Sequence, residues 1–194
     1  GFSRAKISVY LKNLMELELV EKVFSFDTEG KANSQKGIYR ISNHFVHFYF
    51  RFLYPNRSAL ALMSADEFYE KNIQFSFKNF AALYFNEICK QRIEKWNQEE
   101  KLPIVIDRIG EWVGKSGNID VVAQDENGRT LAAYCNWEKS VMQYGDYEKL
   151  LSSMGKAKLR ADTIYLFSIQ RFDEKLSLEA KMKKNLKLIS LEDM

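Results

Sequence analysis

Residues 117–137 read Gly117-Asn118-Ile119-Asp120-Val121-Val122-Ala123-Gln124, then Asp125-Glu126-Asn127-Gly128-Arg129, then Thr130-Leu131-Ala132-Ala133-Tyr134-Cys135-Asn136-Trp137. The two apolar runs are rich in residues that suit a pleated sheet, and the segment between them carries the Asn-Gly pair of a tight reversal. They predict a hairpin of strands over 118–124 and 130–137. Before it, 105–113 reads as another strand. After it, a helix over 146–159, an apolar strand over 163–169, a helix over 174–185 and a strand over 186–191 alternate. A hairpin followed by helix–strand units predicts an α+β or α/β domain around a mixed central sheet.

Upstream the periodicity changes to that of helices. Phe77, Phe80, Ala81, Tyr84, Phe85 and Ile88 recur at helical spacing within 73–96 and are expected to form its buried stripe. Another helix is expected over 59–72. The segment 43–54 holds Phe45, Phe48, Tyr49, Phe50, Phe52 and Tyr54. Asn43 is placed to cap it and Pro55 to end it, so it reads as an aromatic brace helix packed as core, with stacking of bases on the stripe as the alternative.

At the start, Ser3 can cap a helix in which Ile7, Tyr10, Leu11, Leu14 and Leu17 share a face. Strands are expected over 19–26 and 37–42, separated by a polar loop with Lys31 and Lys36. Helix, strand, basic loop, strand is the order of the second half of a winged helix. Three parts follow: 1–58, the winged-helix portion with its brace; 59–76, a helical connector; and 77–194, the main α/β domain.

Over the 194 residues the formal charge is only +3, too small for the total to identify a polyanion-binding protein. Residues 1–58 hold nine basic against five acidic side chains, a net of +4. Arg4, Lys6, Ser8 and Lys12 on the outward helix face, with Lys31 and Lys36 in the loop, are the candidate contacts to double-stranded DNA. Solubilising charge on a small packing domain explains the same pattern equally well. Two cysteines and two histidines lack zinc-ligand spacing, so free thiols in a reducing compartment are expected. No apolar run approaches the roughly 20 residues of a membrane span. The chain opens on Gly1 directly into a helix, so a fragment of a longer cytoplasmic protein is expected.

Several short stretches, in order, resemble one family. Ile7-Ser-Val-Tyr-Leu-Lys-Asn-Leu14 with Leu19-Val-Glu21, Gly37-Ile-Tyr-Arg-Ile-Ser42, and Phe48-Tyr-Phe-Arg-Phe52 closed by Pro55-Asn56 are three of them. Ile109-Gly-Glu-Trp112, Asn118-Ile-Asp-Val-Val122 and Tyr134-Cys-Asn-Trp137 are the others. Together they are similar to the C-terminal half of archaeal and bacterial ATPases of the AAA+ (STAND-like) group. These carry a P-loop ATPase domain, a winged helix and a C-terminal domain called DUF234. The resemblance implies a restriction-endonuclease-like fold, with ATP and Mg²⁺ held in an ATPase domain outside these residues. That domain would be one partner; DNA and another protein are further candidates, and a membrane is not.

In such nucleases an acid on one strand and Glu-x-Lys on the next hold Mg²⁺ and position a water. By resemblance Asp120 keeps the first metal ligand, while Asn118, Tyr134 and Asn136 replace an acid, the second carboxylate and the lysine. Asn86 replaces another acid beside Glu87. Neutral tyrosine and asparagine are poor substitutes, which implies a fold without its chemistry, no cofactor in these residues and no metal unless at Asp120. The expectation is a non-catalytic regulatory or interaction module of a larger ATPase. The alternative is a nuclease whose site has migrated, joining Asp120 to Glu87, Glu111 or Glu138. DNA binding without cleavage, helped by Lys115, Lys139, Lys156 and Lys158, is compatible with the first.

Overall fold

A computed structural model of the chain describes residues 1–28, 37–114, 117–137 and 140–194. Lys31, Lys36, Lys115, Glu138 and Lys139, named above, lie outside the described residues. The chain divides into two compact units, Gly1–Phe24 with Thr28–Lys78, and Ser25–Asp27 with Asn79–Met194.

The first unit opens with α1 (Arg4–Glu16), capped by Ser3, whose Oγ accepts from the Lys6 N–H at 3.3 Å. Strands β1 (Val20–Phe24) and β2 (Gly37–Ile41) pair antiparallel, Val20 opposite Ile41. Asn43 caps α2 (His44–Phe48) through a 2.9 Å bond from the Val46 N–H. Pro55 does not stop the chain as expected. A π-helical turn over Tyr49–Leu53 and a 3₁₀ turn over Tyr54–Asn56 absorb it, and α3 (Arg57–Leu62) continues. Proline is tolerated there because the first turn of a helix needs no N–H from it. The expected helix over 59–72 is broken at Ser64, which caps a separate α4 (Ala65–Asn72). Of the aromatic segment only Phe52 is buried, while Phe45, Phe50 and Tyr54 are exposed.

In the second unit a five-stranded mixed sheet has the order β3-β4-β5-β7-β9. Its strands are β3 (Arg108–Gly114), β4 (Gly117–Gln124), β5 (Thr130–Asn136), β7 (Thr163–Ser168) and β9 (Leu186–Ser190). The first three pair antiparallel, and β5, β7 and β9 run parallel. The hairpin from β4 to β5 turns at 125–129, where Asp125 Oδ1 accepts from the N–H groups of Asn127 and Arg129 at 3.0 and 2.8 Å. Gly128 takes φ +81°, a conformation that suits glycine. Two short strands unforeseen in the sequence, β6 (Val141–Met142) and β8 (Arg171–Phe172), pair beside the main sheet.

Helices cover both faces, as parallel strands require. On one face α5 (Gln74–Gln98) lays Phe85, Cys89 and Ile93 over Val121, Ala133 and Phe167. On the other, α6 (Tyr144–Ala157) and α7 (Glu174–Met182) pack Tyr147, Leu150 and Leu176 against Ile119, Val122, Ala132 and Leu166. The α5 stripe therefore differs from the expected one: Phe77 and Ile88 are 42% and 47% exposed. Apolar residues surround this helix, so periodicity alone leaves the choice of face to the sheet. Among the described residues no helix is long and apolar enough to cross a membrane.

Candidate functional site

Strand β4 alternates normally at its ends but not in its middle. Ile119 and Val122 both face α6 and α7, three residues apart, while Val121 and Ala123 face α5. The pairing with β3 shows why. Gly110 lies opposite Val122 and Trp112 opposite Ile119, so Asp120 and Val121 together oppose the single residue Glu111. This is a β-bulge, which re-aims a side chain without ending the strand. Here it turns Asp120 toward α5.

Each oxygen of the re-aimed carboxylate accepts a hydrogen bond. Its Oδ1 accepts from Asn86 Nδ2 on α5 at 3.0 Å, and its Oδ2 accepts from the Cys135 N–H on β5 at 2.8 Å. Cross-strand partners between β4 and β5 run only from Gln124/Thr130 to Val121/Ala133. Beyond that point the Asp120 side chain takes the place of a main-chain acceptor. Withdrawal from water, opposed by these two bonds and reinforced by the charge of Glu111, carries the Asp120 carboxyl from 3.8 up to about 6.

Below it lie the two cysteines, both free, with Cys89 fully buried and Cys135 half-buried. Withdrawal of the sulfur from water and the adjoining Cys89 thiol push the Cys135 thiol well above the ordinary thiol range. Such a thiol is a poor nucleophile. The proximity of the two sulfurs was invisible in the sequence, where 46 residues separate them and no motif links them.

Of the other residues implied by the resemblance, Asn86 joins Asp120, whereas Tyr134 and Asn136 lie off its face. Tyr134 packs against the cluster under α6 and α7, whereas its neighbours Cys135 and Trp137 pack on the α5 side. Alternation along the strand puts Asn136, which is buried, on the Tyr134 side. Asn118 is exposed opposite Val113 in β3. Glu87 accepts from Gln91 Nε2 within α5 at 3.3 Å; its neighbour Asn86, about 100° around the helix, is the one that reaches Asp120. Among the described residues no three His, Cys, Asp or Glu side chains group so as to hold a metal ion. One carboxylate with both oxygens engaged by N–H donors, flanked by amides and thiols, does not fit Mg²⁺, which prefers several hard, charged oxygens in an octahedron.

In the first unit, Arg4, Lys6, Ser8 and Lys12 are all exposed on α1. Lys6 Nζ stands 4.9 Å from the Phe2 ring centroid, Lys12 pairs with Glu16 at 3.7 Å, and Ser8 Oγ donates to the Arg4 carbonyl at 3.0 Å. These contacts are weak and solvent-screened, so they leave the cations available to a polyanion.

A relative from Methanocaldococcus jannaschii, described as an uncharacterized protein, is 28% identical over 193 residues, covering 89% of this chain. The chain spans 43% of that relative's length. No solved structure matches. The model of the DUF234 family, described as archaeal and bacterial proteins of unknown function, matches residues 49–150, a span that includes α5, the bulge and the whole hairpin. The chain belongs to the DUF234 family.

Proposed function

We propose that this chain is a non-catalytic regulatory or interaction module of a larger ATPase, built from part of a winged helix and a nuclease-like domain that has lost its chemistry. The observation that carries the reading is the engagement of Asp120. Both carboxylate oxygens are held by protein N–H groups, and the positions implied for the second acid and the lysine are Tyr134 and Asn136 on the opposite face of the sheet. A metal-dependent site needs the reverse arrangement, with several carboxylate oxygens converging on one open position. Support for a larger parent is the relative of more than twice the aligned length. The exposed cations of α1 support double-stranded DNA as one thing the module touches, alongside the ATPase domain of its own chain and other proteins. No ATP or metal is assigned to these residues.

One observation favours a second reading, a nuclease with a migrated site. Glu111 lies opposite the bulge, and its charge adds to the affinity of Asp120 for its proton. Cleavage of supercoiled plasmid with Mg²⁺ or Mn²⁺ decides between the readings. No nicking above the protein-free control is expected over hours at micromolar protein. Mn²⁺-dependent cleavage that disappears in Asp120→Ala would establish the migrated nuclease instead.

A further inference from the structure

The segment from Phe45 to Arg57 departs from the way aromatic side chains are usually placed. Phe45 is 71% exposed, Phe50 54% and Tyr54 46%. Single exposed aromatics are ordinary, but three within ten residues form a patch that water covers at a cost. The π-helical turn contributes to it by setting the rings of Tyr49, Phe50 and Tyr54 side by side. Tyr49 and Phe50 are 5.3 Å apart at 86°, Phe50 and Tyr54 5.3 Å apart at 49°, and Tyr49 and Tyr54 6.2 Å apart at 54°. None of these pairs is a parallel stack, and Phe50 keeps about half of its surface open to water despite its two ring neighbours.

Within the segment itself the charges have one sign. The Arg57 guanidinium lies 4.6 Å from the Tyr54 ring centroid, and Arg51 is exposed on the turn itself. No acidic residue occurs between Glu29 and Asp66. An apolar protein partner has no need of these two arginines. A duplex offers phosphates but keeps its base faces inside the stack. Unpaired nucleotides present both an anionic backbone and free π-faces.

We propose that the Phe45–Arg57 surface binds single-stranded nucleic acid, bases stacking on Phe50 and Phe45 while Arg51 and Arg57 meet phosphates. This surface is separate from the α1 cations and does not depend on the module reading above. Loss of one stacking ring should weaken binding about tenfold, and two phosphate contacts should give a salt slope near −1.4.

The test is fluorescence anisotropy of labelled dT and rU 12-mers and of a matched duplex, titrated with the 194-residue protein at 50 and 200 mM salt. The two single strands are expected to bind, salt-dependently, and Phe50→Ala to lose about tenfold while melting like the parent. Phe50→Trp is expected to keep the affinity and to show indole quenching on addition of dT, which decides the matter if the alanine variant misfolds. Preference for dT over rU, or the reverse, identifies the source of the strand and supports the proposal either way. Absence of binding at 50 mM salt would overturn it, as would unchanged affinity in a folded Phe50→Ala or an unquenched Phe50→Trp. Concentration-dependent self-association abolished by Phe50→Ala, without oligonucleotide binding, would also overturn it and assign the patch to a second copy.

Discussion

Asp120→Asn is expected to make the protein more stable at pH 7.5, by up to about 3 kcal/mol. The sign follows from the proton affinity of the folded state. The carboxyl binds its proton with a pKa of about 6 in the fold, against 3.8 as a free side chain. Its contribution to stability is therefore fully present below about pH 4 and lost as the pH rises through 6. At neutral pH the fold holds a charge whose withdrawal from water is only partly offset by the Asn86 and Cys135 bonds. An asparagine of the same shape can accept from the Cys135 N–H with its oxygen, provided the Asn86 amide turns to present its own oxygen. The bulge and both contacts survive, and the charge is gone. Urea unfolding at pH 4.5 and pH 7.5 is the measurement. Most of the gain should appear at the higher pH, and the parent's loss of stability between the two should flatten in the variant. Asp120→Ala, in contrast, leaves the Cys135 N–H and the Asn86 amide without an acceptor and should lose about 1–3 kcal/mol at pH 4.5.

The second large effect concerns Asp173, which ties two helix starts together. Its Oδ1 accepts from the Leu176 N–H at 2.6 Å, capping α7, and its Oδ2 accepts from the Tyr144 N–H at 2.7 Å, at the first turn of α6. Losing an N-cap costs about 1 kcal/mol, and orphaning a second, part-buried N–H about 1–3 kcal/mol. Asp173→Ala should therefore destabilise the domain by about 3 kcal/mol, read as a lower midpoint in urea with an unchanged slope. Asp173→Asn keeps one oxygen as acceptor but turns its NH2 toward the other N–H, so it should lose less than alanine does without restoring the parent's stability. Equal losses in the two variants would contradict the bridging role.

Much of the sheet domain was legible because its signals are local. The hairpin announced itself through Asp125 to Gly128, and Asn43 and Ser3 cap the helices they were expected to cap. The α5 face was not legible, since apolar side chains surround the helix and the sheet alone selects Phe85, Cys89 and Ile93. The bulge was hidden for a related reason. Ile119, Val121, Val122 and Ala123 are all fully buried, so no break in a polar alternation marks the extra residue. The bond from Asn86 to Asp120 joins residues 34 apart on a helix and a strand, and nothing in the spacing predicts it. Pro55 does not stop the chain because a π-helical turn accommodates it, and no residue pattern marks that turn. Phe45, Phe50 and Tyr54 are exposed although Phe and Tyr at helical spacing usually form core, because no polar break distinguishes the two cases in the sequence.

Calorimetric titration of Mn²⁺ into the protein at pH 7.5 addresses the role of Asp120 most directly. The account predicts no saturable heat up to millimolar metal, and the same trace from Asp120→Asn. One ion bound per chain, lost in both Asp120→Asn and Glu111→Gln, would contradict it and return the bulge to the class of working metal sites.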